Sequence, residues 1–112
     1  MVPRRRIRIL IALIAASVVV AAMAVAALAA TDQVRVADNY YSVKRLTVAR
    51  GTRVTWRWAG VLNHNVTVRS GPTRFHSRTQ ATGSFSHVFD RAGTYTLYCT
   101  IHPYMKMTIV VR

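Results

Sequence analysis

Between Tyr98 and Met107 the chain places a thiol, an imidazole and two thioethers close together, at Cys99, His102, Met105 and Met107. Thiolate and thioether donors select copper in its reduced state, and imidazole suits both oxidation states. Two histidines and one cysteine around the ion, completed by a weak axial methionine, are the donor set of one-electron transfer sites. This stretch therefore reads as half of a copper site, and the second histidine must arrive from a neighbouring strand. His64, in Asn63-His64-Asn65-Val66, is the best candidate. The cysteine count agrees. A small exported domain ordinarily pairs its cysteines, so a solitary Cys99 is buried and inert, an intermolecular linker, or bound to something. The neighbouring ligands favour the last.

The compartment is read from the amino end. Arg4, Arg5, Arg6 and Arg8 precede an uncharged apolar run of 22 residues from Ile9 to Ala30, the pattern of an export signal. Small residues at Ala27-Leu28-Ala29-Ala30 suit cleavage near Ala29 or Ala30. The run is also long enough to cross about 30 Å of hydrocarbon as a helix, so a retained membrane anchor through residues 9–30 is the alternative. A twin-arginine reading is weak, because four clustered arginines already satisfy an ordinary basic leader. On either account the rest is exported to the periplasm or the cell surface. The expected division is a leader over residues 1–30 and one domain over 31–112, too short for two.

The chain carries a formal +13, and without the four leader arginines twelve basic residues face three acidic ones. An exported protein does not routinely meet nucleic acid, and the arginines are scattered through strand-like segments. An acidic redox protein or an anionic membrane surface is the expected partner, with an attraction that weakens in salt. A purely solubilising role for the charge is the plainer account.

After residue 30 no helical period appears. Short runs rich in Val, Thr, Tyr, Trp and Phe alternate with polar residues between glycine turns, predicting an all-β sandwich. Strands are expected over 33–37, 45–49, 53–58, 65–69, 84–89, 94–99 and 106–112, with tight turns at Arg50-Gly51-Thr52 and Arg91-Ala92-Gly93. Alternation turns Val54, Trp56 and Trp58 inward and leaves Thr55 and Arg57 outward. Tyr95, Leu97 and Cys99 share the inward face of a later strand, so the thiol points into one pole of the sandwich. Residues 70–81 show no period and read as a long connection.

These residues resemble the cupredoxins, the type 1 blue copper proteins, and within them the amicyanin and plastocyanin group. The likeness runs over residues 33–112 and rests on Leu46-Thr47-Val48, Gly51-Thr52-Arg53-Val54-Thr55-Trp56, His64-Asn65-Val66, Ala92-Gly93-Thr94-Tyr95 and, above all, Cys99-Thr100-Ile101-His102-Pro103-Tyr104-Met105. It implies a Greek-key β-sandwich, which the apolar export or anchor helix read from the amino end would precede. It also implies one copper ion, cycling between Cu(I) and Cu(II), held by His64, Cys99, His102 and Met105. The resemblance further implies that Asn65 ties the His64 segment to the Cys99 loop and that an adjacent backbone amide donates to the sulfur. Met105 is preferred to Met107 as axial ligand because Met107 has the parity of Ile109 and Val111 and is more simply core. Val43 departs from the family, which commonly has proline there, and His87 stands where an aliphatic residue is usual.

The remaining candidates have plain readings. His76 lies in a polar connection and is expected to be solvated. His87, between Phe85 and Phe89, is expected to be a buried neutral histidine, an extra metal contact being the alternative. Trp56 and Trp58 read as core and rim. The function that follows is electron transport by a monomer, with His102 as the electron door and Pro103, Tyr104 and Met105 as an apolar docking patch around it. Copper delivery, storage or resistance through the same ligands is the alternative. An enzyme is not expected, since no carboxylate or further ligand lies near the Cys99 loop to build an exchangeable position.

Overall fold

The computed structural model describes residues 30–112. The leader and its expected helix lie outside the described residues. Eight strands form two sheets: β1 (Thr31–Ala37), β2 (Tyr40–Tyr41), β3 (Arg45–Val48), β4 (Thr52–Trp58), β5 (Thr67–Ser70), β6 (Ser84–Phe89), β7 (Gly93–Cys99) and β8 (His102–Val111). One sheet has the order β2-β1-β4-β6 and the other β3-β8-β7-β5. The pairs β1–β4 and β3–β8 are parallel and the remainder antiparallel. The chain passes from sheet to sheet repeatedly, so residues distant in sequence meet at the poles. The described residues contain no helix.

Burial follows the pleat. In β4 the side chains alternate strictly, with Val54, Trp56 and Trp58 buried while Arg53 and Arg57 are exposed. Tyr95, Leu97 and Cys99 of β7 are fully buried from the other sheet, as alternation requires. Polar residues pair on the outer face, where the Thr55 and Ser86 hydroxyls share a hydrogen bond of 2.7 Å. Trp56 lies at the centre, its ring 5.9 Å from Phe85, 6.2 Å from Phe75 and 6.3 Å from Phe89. Gly51 turns the chain from β3 into β4 at φ 88°, a left-handed conformation that glycine adopts without a Cβ clash.

Most strand limits shift by one or two residues, and three larger or more telling differences bear on the site. Tyr40–Tyr41 is a strand too short to show a period. It forms because Tyr41 pairs with Val36 and its buried hydroxyl donates to the Asn65 carbonyl at 2.7 Å. Burial first, and the Cys99 sulfur second, push the Tyr41 phenol above its ordinary pKa, so it stays a donor. The second difference is in β8, which begins at His102 rather than Lys106. Cys99 and His102 are register partners across a two-residue turn. The third is in β5, which begins at Thr67, leaving His64, Asn65 and Val66 in the approach to the strand. Val43 lies in the link between β2 and β3, outside any strand.

Phe75, in the irregular connection, folds back onto the core. His87 stacks on it with centroids 3.7 Å apart and an interplanar angle of 16°, and meets the Phe89 edge at 5.0 Å. His87 is thus half-buried against aromatic rings rather than fully enclosed. His76 is exposed, as expected. Desolvation lowers the His87 pKa below the ordinary 6.5, with Asp90 opposing it. The unfolded chain therefore takes up this proton first, and the stability due to neutral His87 is lost as pH falls through about 6.5. Urea midpoints are expected to drop between pH 7.5 and pH 5.5, and less steeply in His87→Phe. Identical pH slopes for the two proteins would contradict this assignment.

Candidate metal centre

The hairpin of β7 and β8 and the segment before β5 converge at one pole. His64, Cys99 and His102 each offer one donor atom there, all within 4.8 Å of one another. The two Nδ1 atoms face each other at 3.1 Å, and Cys99 Sγ lies 3.8 Å from His102 Nδ1. His64 and Cys99 are fully buried and His102 is partly exposed, so the site has one edge open to the surface.

Each donor is held from behind. The His64 backbone exchanges hydrogen bonds with Gln80, N to O and O to N, each 3.0 Å, and the Trp58 indole N–H donates to the His64 carbonyl at 3.2 Å. On the far side of the His64 ring, Nε2 lies 3.0 Å from Asp38 Oδ1. Asp38 comes from the β1–β2 turn, where Asn39 takes φ 73°, and its carboxylate also accepts the Val61 and Leu62 amides at 3.0–3.2 Å. The His64 bond first, then the two amides, hold the Asp38 carboxyl below the ordinary carboxylate range. An ionised carboxylate accepts only, so Nε2 carries the ring proton and Nδ1 presents its lone pair to the cluster.

Asn65 spans the gap between segments. Its side-chain amide donates to Thr100 Oγ1 at 2.7 Å and Thr79 Oγ1 at 3.0 Å, while its Oδ1 accepts the Thr100 amide at 3.1 Å and the Thr67 hydroxyl at 2.8 Å. Its own backbone N–H donates to Cys99 Sγ at 3.5 Å. The tie and the sulfur bond implied by the family likeness are both present.

Met105 and Met107 are both buried, at 1% and 2% exposure, and both point inward with Ile109 and Val111. Parity therefore does not separate them, contrary to the expectation from spacing. Their environments do: the Trp56 indole N–H donates to Met107 Sδ at 3.4 Å inside the core. Met105 falls where the β7–β8 register breaks between Tyr98 and Cys99, at the site's end of the strand. Its burial also removes it from the expected docking patch. Pro103 and Tyr104 of that patch are exposed, and so are the apolar Val61, Leu62 and Ile101 on the segments next to the donors.

Asp38 was not legible as a site residue, being 26 positions from His64 with no motif around it. Asp38 is far from the Cys99 loop along the chain, yet it lies against the outer nitrogen of His64, one of the grouped donors. Asp38 does not coordinate, however, because the imidazole ring stands between it and the donor cluster.

Residues 10–111 match the family model of the cupredoxin-like domain, and the chain belongs to that family. It is similar to amicyanin-alpha of Methylorubrum extorquens, with 32% identity over 88 residues, covering 75% of this chain and 74% of the relative. A purple cupredoxin from Nitrosopumilus maritimus superposes with a TM-score of 0.65 at 26% identity, over 72% of this chain and 99% of that one. A reduced copper(I) form of an amicyanin mutant gives a TM-score of 0.65 at 31% identity, over 75% and 82% of the respective chains. Cupredoxins bind one copper ion, and His64, Cys99 and His102 are grouped as a site for it. The donors fit the ion. Two imidazoles and a thiolate are copper ligands, and here two imidazole Nδ1 atoms approach to 3.1 Å with the thiol sulfur 3.8 Å from one of them.

Proposed function

We propose that this protein is an electron carrier working outside the cytoplasm, with residues 1–30 as leader or anchor and 31–112 as the copper domain. His64, Cys99, His102 and Met105 would hold the ion. The observation that carries this reading is the convergence of one buried thiol and two imidazole Nδ1 atoms within 4.8 Å, on segments cross-braced by Asn65. When bound, copper supplies the one-electron couple. The chain holds the donors in one geometry for both oxidation states, which keeps rearrangement small.

Electrons enter and leave through His102, the one donor with an exposed edge, beside the exposed Tyr104 ring at 6.1 Å, with Ile101, Val61 and Leu62 exposed on the segments that carry the donors. Such an apolar cap suits brief docking. Behind it, Lys106 pairs with Tyr98 and Arg69 lies over the Tyr98 ring at 4.9 Å, putting positive charge beside the cap for an acidic donor or acceptor. The domain works as a monomer and as a carrier rather than an enzyme, with His64 and Cys99 fully buried and His102 alone at the surface.

The test is spectroelectrochemical cycling of the full chain with an excess of copper chelator. A carrier returns to its starting spectrum after repeated reduction and oxidation, keeping one copper per chain. Loss of copper to the chelator on each reduction would favour delivery over transport. In the same assay Met105→Ala is expected to change potential and spectrum, whereas Met107→Ala mainly lowers stability. The reverse pattern would make Met107 the axial ligand.

A further inference from the structure

We propose that Asp38 is a positioning residue for the metal centre: its carboxylate fixes the His64 tautomer and orientation and, by its charge, favours the oxidised ion. The inference rests on the copper reading given above. It starts from the charge distribution. The chain has only three acidic residues, and one of them lies against the ring of a buried candidate ligand.

The arrangement is constructed on both sides. Asp38 Oδ1 accepts from His64 Nε2 at 3.0 Å and from the Leu62 amide at 3.0 Å, while Oδ2 accepts the Val61 amide at 3.1 Å. These bonds fix the carboxylate and, with it, the rotation of the imidazole about its Cβ bond. The approach needs Gly60, since a Cβ at that position would collide with the Asp38 carboxylate. The left-handed Asn39 turns the chain immediately after Asp38, at φ 73°. Four features from two segments, the Asn39 turn and Gly60 with the Val61 and Leu62 amides, thus deliver one negative group to the outer nitrogen of one ligand.

The chemistry follows from the bond. A carboxylate partner makes a metal-bound imidazole more basic and orients it, and loss of such partners typically costs 10–100-fold in metal affinity. Negative charge one ring away stabilises the higher charge state of the ion more than the lower. Removing it should weaken Cu(II) binding more than Cu(I) binding and so raise the potential.

Asp38→Asn keeps the shape and one oxygen to accept from His64 Nε2 and the Leu62 amide, while deleting the charge and the acceptor at the Oδ2 position. In the full chain, the ratio of Cu(II) to Cu(I) affinity is expected to fall about tenfold, which for a one-electron couple is a rise of about 59 mV. Imidazole 15N NMR of the native protein is expected to show His64 protonated at Nε2 and not at Nδ1. An unchanged potential in folded Asp38→Asn would overturn the proposal, leaving Asp38 as a loop staple that affects only the melting temperature. A His64 proton on Nδ1 in the native protein would overturn it even if the variant failed to fold. Failure of the native chain to take up copper would instead refute the copper reading and the charge effect with it, and the NMR result would still decide the tautomer lock.

Discussion

Cys99→Ser is expected to abolish the intense visible band of the copper-loaded protein. The band requires charge transfer from a thiolate, and a serine hydroxyl is neither ionised at neutral pH nor a soft donor. Affinity for Cu(I) should fall by more than the 10–100-fold typical of losing a supporting group, since a coordinating atom is itself removed. The fold should survive. Cys99 is fully buried, but the Asn65 amide that donates to its sulfur at 3.5 Å can donate to the serine oxygen. Copper titration followed by absorbance, with circular dichroism as the folding control, makes the measurement. Retention of the band and of one copper per chain in Cys99→Ser would remove the thiolate from the centre and the electron-carrier reading with it.

Trp56→Ala is expected to have the largest effect on stability. Trp56 is fully buried in β4, touches the Phe75, Phe85 and Phe89 rings and donates to Met107 Sδ. Truncating a buried tryptophan typically costs about 3–5 kcal/mol, and small domains have only about 5–15 kcal/mol in total. For a domain of this length each kcal/mol moves the melting temperature by roughly 4–8 °C, so a drop of more than about 12 °C is predicted. The cavity also removes the ring that Phe75 packs against and the hydrogen bond to Met107 Sδ. A thermal melt of the metal-free chain checks this, and a shift under about 4 °C would mean that Trp56 is not the centre of the core.

Much of the candidate centre could be read locally because copper chemistry demands scarce residue types. A lone cysteine three positions before a histidine, with a methionine close by, is a combination that packing or solubility alone does not require of an exported domain. Strand faces were equally legible. Period-two burial in Val54-Thr55-Trp56-Arg57-Trp58 and in Tyr95-Thr96-Leu97-Tyr98-Cys99 is a consequence of the pleat and needs no knowledge of the partner strand.

What failed was any inference in which one periodicity served two roles. Met105 and Met107 share a face, so parity assigns both to the interior, and the two are separated by the Trp56 N–H, which comes from the opposite sheet. The aperiodic connection hid Phe75, because a single aromatic among polar residues carries no pattern even when it seals the core. Tyr40–Tyr41 escaped for a similar reason: two residues make no period, and β1 supplies the pairing that makes them a strand.

By itself the sequence determined the all-β class, the inward faces of the long strands and the identities of the soft donors, since each follows from residue type and short-range spacing. Tertiary structure alone decided which groups stand behind those donors: Asp38 at His64 Nε2, Asn65 between two threonines, and the core tryptophan on Met107. The physical reason is range. Donor identity is a property of one side chain, whereas its tautomer, orientation and charge environment come from hydrogen bonds to residues 14 to 51 positions away, which only the folding of the chain brings within 3.5 Å.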